Sequence, residues 1–145
     1  MASYRWGVVC QQAIIDKQTN LVSYINIIEQ LTPPEYPSEA PRFTIATLWD
    51  RDEEGERFTV RVRAEDKHGN ILQEEQGDEV EFEDFERFRI NRVMGGFEVE
   101  EPGCVRFQID LLQEGEDWET VGSLPVMFMS PEKHPEAEAT PAKED

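Results

Sequence analysis

Asp50, Asp52 and Glu54 occupy alternate positions ahead of Gly55. Oxygen ligands spaced this way before a glycine resemble the first half of an EF-hand calcium loop. The second half fails, because the twelfth position from Asp50 is Arg61, where a bidentate glutamate belongs, and Arg61 lies inside a strand pattern. The segment therefore reads as a charged hairpin turn, with a weak calcium site at Asp50, Asp52 and Glu54 as the sharper alternative.

Other metal and nucleophile chemistry is poorly supplied. The two histidines fall in a turn pattern, His68, and in a polar C-terminal segment, His134. A zinc or iron site needs several His or Cys at regular spacing, so neither metal nor any other cofactor is expected. Cys10 sits on an apolar strand face and Cys104 follows a Pro-Gly turn, with no histidine or basic neighbour in sequence to activate either thiol. They read as two separate reduced thiols. No Gly-x-Ser-x-Gly elbow and no phosphate-cradling glycine loop occurs, and the chain is read as a non-enzyme.

Charge is the most conspicuous property. Thirty-two acidic residues against 14 basic ones give a net charge of −18. Such a chain is not expected to bind nucleic acid or an anionic membrane directly, since both require basic patches. Eight of the acids crowd into one run: Glu74, Glu75, Asp78, Glu79, Glu81, Glu83, Asp84 and Glu86. They are a candidate surface for a basic protein partner, or a decoy that offers carboxylates in place of phosphates. Against them stand Arg57, Arg61 and Arg63 on one strand pattern and Arg87 and Arg89 on another. Neighbouring strands would make these five a cationic stripe for an anion, and cross-strand pairing with glutamates is the plainer reading.

Extended backbone must position these groups. Phe58, Val60, Val62 and Ala64 alternate with polar residues, as do Val105, Phe107, Ile109 and Leu111. Tyr4, Trp6, Val8 and Cys10 are expected to share one face, and Phe43, Ile45, Thr47 and Trp49 another. Leu21 to Leu31 is apolar on both phases, which predicts a central strand covered on both sides, with a short helix as the alternative. Pro125 before Val126–Met129 predicts a strand start or a sheet edge. Thr32 to Pro41, with four prolines, predicts a long extended loop, and the phase slip from Gln76 to Arg87 predicts a bulge, a corner or one helical turn.

Turn residues separate the runs, and no long helical period intervenes. The expected fold is all-β: a predominantly antiparallel β-sandwich of roughly seven to nine strands. It spans residues 1–129, followed by a disordered acidic tail at 130–145 that accounts for only three of the net negative charges. Two cysteines form no disulfide framework, and the start lacks the layout of a secretory signal, so a cytoplasmic location is expected.

Two stretches carry a family resemblance. Val8-Val-Cys-Gln-Gln-Ala-Ile-Ile-Asp16 and Thr19-Asn-Leu-Val-Ser-Tyr-Ile-Asn-Ile-Ile-Glu29 resemble the opening of a family of small, uncharacterised bacterial proteins. Glu101-Pro-Gly-Cys-Val-Arg-Phe-Gln-Ile109 and Leu124-Pro-Val-Met-Phe128 are similar to its closing strands. The resemblance implies a β-sandwich and brings no activity or catalytic residues with it. The sequence thus predicts a non-catalytic interaction or accessory module, a monomer or homodimer with a protein partner. The acidic decoy and the calcium-dependent binder are its alternatives.

Overall fold

Side chains that alternate between oil and water commit most of the chain to extended backbone, and the resulting ladders separate into two layers. The computed structural model describes residues 2–51, 57–81 and 87–131. The strands are β1 (Ser3–Ile15), β2 (Val22–Ile27), β3 (Gln30–Leu31), β4 (Ser38–Glu39), β5 (Phe43–Asp50) and β6 (Arg57–Glu65). They continue as β7 (Ile71–Gln76), β8 (Val80–Glu81), β9 (Arg87–Met94), β10 (Glu98–Val99), β11 (Gly103–Gln113) and β12 (Glu119–Phe128).

One sheet has the order β2-β1-β5-β9. The other runs β3-β12-β11-β6-β7, with β8 also beside β6, and β4 and β10 form a short pair of their own. Every pairing is antiparallel except that of β3 with β12. The chain is all-β, a predominantly antiparallel sandwich.

Both layers feed one core. Val9, Phe43, Ile45, Trp49, Ile90 and Met94 come from the first sheet, and Phe58, Val60, Val62, Phe107, Ile109 and Phe128 from the second. Rings meet edge-on across the layers, with Phe43 and Phe107 5.5 Å apart between centroids. One buried donor is satisfied through a relay. The Trp49 indole N–H donates to Thr47 Oγ1 at 2.8 Å, and that hydroxyl donates to the Ile90 carbonyl at 3.0 Å. Without this relay a buried donor would cost about 1–3 kcal/mol.

The layers are also tied at one side. Tyr4 lies over Gly122 and Leu124 over Gly7, positions where a Cβ would stand 2.6 Å and 3.2 Å from those side chains. Beside this seam the chain leaves β2 and changes sheets. The Ile28 N–H bonds Val9 of β1, while Glu29 and Leu31 accept from Met127 and Met129 at the end of β12.

Several expectations are corrected. Leu21 to Leu31 is not a central strand. The turn at Asp16–Asn20 returns the chain to β1, whose other side already holds β5, so among the described strands β2 has a single neighbour and forms the edge. Tyr4 and Trp6 do not share a face, because a bulge between them turns Tyr4 onto Trp49 and leaves Trp6 partly exposed. Pro125 lies inside β12 rather than before it, opposite Arg106, on a stretch whose outer side meets β3 only from Met127 onward. β5 ends at Asp50 in one sheet and β6 begins at Arg57 in the other, and the turn expected between them falls on 52–56, outside the described residues. Within the stretch of the phase slip, β8 pairs in one sheet and β9 in the other, and the residues that join them, 82–86, lie outside the described residues. Residues 52–56, 82–86 and the tail beyond Pro131 lie outside the described residues.

Candidate functional site

Polar chemistry concentrates on the outer face of the six-stranded sheet. Arg61 and Arg63 alternate with the inward Val60 and Val62, and register sets Asp110 of β11 directly opposite Arg61. The Asp110 carboxylate accepts Arg61 Nε and Nη2 at 2.9 Å, Arg63 Nε at 2.5 Å and Arg63 Nη2 at 3.1 Å. The Thr120 hydroxyl adds a fifth donor at 2.7 Å. Arg63 also pairs with Glu65, and the Arg61 guanidinium lies 4.2 Å from the centre of the Trp118 ring.

Asp110 is 1% exposed. Burial pushes its carboxyl upward, but the hydrogen bonds from Arg63, Thr120 and Arg61 and the charge of Arg63 outweigh that, and the net shift is downward. The same bond, donated to Asp110, raises Arg63. This is a neutralised structural cluster, with both guanidiniums already committed to carboxylates.

The proposed cationic stripe does not assemble. Arg57, Arg61 and Arg63 stand on β6, and Arg87 and Arg89 stand on β9 in the other sheet. Arg57 pairs with Glu81 at 3.4 Å and Arg87 with Asp50 at 3.1 Å, while Arg89 lies opposite Leu48 in its ladder. Asp50, the first residue of the calcium pattern, also bonds Arg5 at 3.2 Å. Asp52 and Glu54 lie outside the described residues. Among those described, no group of three or more His, Cys, Asp or Glu is placed to hold a metal ion.

The acidic run is interleaved with cations. Glu74 is opposite Arg63, Glu75 and Asp78 act on the charge of Arg92, and Glu81 pairs with Arg57. Glu79 follows in the short connection to β8. Glu83, Asp84 and Glu86 are outside the described residues.

One cavity brings together groups that sequence spacing kept apart. Asp66, Lys67, His68, Glu101 and Cys104 line a space of about 220 Å³. Cys104 therefore has a histidine and a lysine nearby, contrary to the sequence reading. Their polar atoms face elsewhere. His68 Nε2 lies 3.1 Å from Glu101 Oε2, and Lys67 Nζ is 3.3 Å from the other oxygen of that carboxylate. These contacts, with the one from His68 foremost, hold the Glu101 carboxyl below the usual range. The Cys104 thiol points at the Val105 carbonyl, 3.9 Å away, so no thiol–imidazole pair is made. Cys10 is free and buried, and burial raises its thiol.

The feature that sequence reasoning missed is apolar. Nine large hydrophobic side chains are exposed among the described residues, and six belong to the ribbon of β1, β2 and the turn that joins them: Trp6, Ile14, Ile15, Leu21, Ile25 and Ile27. Their exposure runs from 37% at Ile25 to 69% at Leu21. Neither Trp6–Ile15 nor Leu21–Ile28 contains a charged residue, in a chain that is 32% charged. Ile27 continues into a groove of about 600 Å³ shared with Val8, Leu124, Pro125 and Met127. The signal was present as a run apolar on both phases, which describes an edge awaiting cover as well as a strand already covered.

Fold and surface together define an all-β sandwich with an uncharged edge strand, β2, among the described residues. The chain belongs to a family of unknown function (DUF6941), whose model matches residues 5–121. No curated protein matches it. Among solved structures, a bacterial adhesin from Mobiluncus mulieris containing intramolecular disulfide, isopeptide and ester bond cross-links is similar at 12% identity and a TM-score of 0.36. The match covers 83% of this chain and 49% of the adhesin chain, so this protein spans about half its length.

Proposed function

We propose that the protein is a non-catalytic interaction module that docks a protein partner along the β1–β2 ribbon. One observation carries this reading: six exposed apolar side chains lie on the uncharged segments Trp6–Ile15 and Leu21–Ile28, and β2 is an edge among the described strands. Natural sheets protect their edges with charges, prolines or covering loops, and Leu21–Ile25 carries neither a charge nor a proline. Exposed apolar patches of this kind mark interaction surfaces. The interleaving of Arg57, Arg63 and Arg92 with the acidic run favours the ribbon over an uninterrupted carboxylate array as the docking surface.

A photo-crosslinking amino acid placed at Ile25, and at Glu116 as a control, tests the assignment in extracts of the protein's own cells. Discrete products from Ile25 alone are expected. No product at Ile25, or the same products from both positions, would overturn it.

A further inference from the structure

We propose that the occupant of the β2 edge is a second copy of this chain, paired antiparallel about a two-fold axis at Ser23. The proposal rests on the ribbon being the docking surface and adds the identity and register of what docks there.

The register follows from the backbone. Asp16 donates to the Leu21 carbonyl, and strict antiparallel alternation from that pair directs the main-chain groups of Leu21, Ser23 and Ile25 toward β1. Those of Val22 and Tyr24 then face away from β1, toward a side where no described strand lies. Two copies related about Ser23 bring Val22 of one opposite Tyr24 of the other, twice, with about four new main-chain hydrogen bonds.

Side chains fit the same axis. Leu21-Val22-Ser23-Tyr24-Ile25 has matching character read from either end: Leu with Ile, Val with Tyr, Ser with itself. Each copy therefore sets Leu21 against Ile25 of its mate on one face and Val22 against Tyr24 on the other, and such self-complementarity is what an isologous interface demands. Asn26, at φ 53°, interrupts the extended alternation just beyond this stretch, so the match ends there.

Charge agrees with this pairing. Two bodies of −18 repel on every acidic face, which leaves the uncharged ribbon as the approach of least cost. Salt then separates the two kinds of partner. Self-pairing of like-charged copies tightens as screening rises, whereas a basic partner is released.

The test is sedimentation equilibrium of the full chain at 0.05 and 0.5 M NaCl, from micromolar to millimolar protein. A dimer that strengthens with salt is expected. Leu21→Glu and Ile25→Lys change exposed side chains, so the fold is kept, and a thermal melt checks it. Each variant alone should dimerise at least tenfold more weakly. Mixed, the two should form a heterodimer, because the axis sets the introduced carboxylate of one variant opposite the introduced ammonium of the other. A wild-type monomer at millimolar concentration in 0.5 M NaCl overturns self-pairing, as do variants that dimerise like the wild type or fail to pair when mixed. Specific crosslinking of another protein at Ile25 alongside a monomeric wild type would sink self-pairing alone and leave the interaction module standing. Absence of both dimer and crosslinks would remove both.

Discussion

Asp110→Asn is the sharpest probe of the buried charge on the outer sheet face. The carboxylate takes five donor contacts from Arg61, Arg63 and Thr120, and the amide replaces one of its oxygens with an –NH₂ that faces those same donors. Breaking a buried ion pair from one side costs about 3–5 kcal/mol. Here Arg61 and Arg63 keep roughly a fifth of their surface in water and Arg63 retains Glu65, so about 2–4 kcal/mol is expected. With a urea slope of about 2 kcal/mol/M, the unfolding midpoint should fall by ~1–2 M.

The pH dependence adds a second reading of the same group. The Asp110 carboxyl is depressed in the folded state, so its stabilisation is complete above the ordinary carboxylate value near ~4 and is lost as pH falls through the lower folded value. The gap between wild type and Asp110→Asn should therefore be constant between pH 6 and 8 and close in acid. Urea titrations monitored by tryptophan fluorescence across that range decide it. A gap below about 0.5 kcal/mol at neutral pH, or one that persists undiminished at pH 2, would refute the account of this cluster.

Further predictions concern the seam and the cavity. Gly122→Ala drives a methyl into the Tyr4 ring, which Trp49 holds edge-on at 5.3 Å, and should cost about 1–3 kcal/mol in chemical denaturation; an unchanged midpoint would mean the layers do not lock there. Cys104, partly exposed, should react with a thiol reagent well before the buried Cys10, and equal rates would contradict the burial and raised thiol of Cys10. Carboxyl NMR titration should place Glu101 below the usual glutamate range, and His68→Ala should move it back up. A midpoint that ignores the substitution would show that the imidazole does not act on it.

Alternation made the fold legible. The period-two runs through Phe58–Ala64 and Val105–Leu111 became the two middle strands of the larger sheet, with the apolar phase inward in both. Strand adjacency was not legible, because it depends on which connections turn back and which cross between layers. That is why Arg61 and Arg87 looked like members of one stripe and stand in different sheets. The pairing of Asp110 with Arg61 and Arg63 was hidden for the same reason: its partners are almost fifty positions away, and only register brings them together. The β2 ribbon was visible as composition and was misread as coverage, since hydrophobicity records that a surface avoids water but not which atoms shield it.

The sheet change after β2 has a consequence for how the molecule comes into being. Leu31 completes its parallel ladder only against Phe128, close to the last residue of the sandwich. A nascent chain halted anywhere short of that point leaves the corner open and the N-terminal ribbon without its anchor. Assembly of the seam must therefore wait until nearly the whole domain has left the ribosome, during which Ile25 and Ile27 stay in solvent beside an unfinished layer.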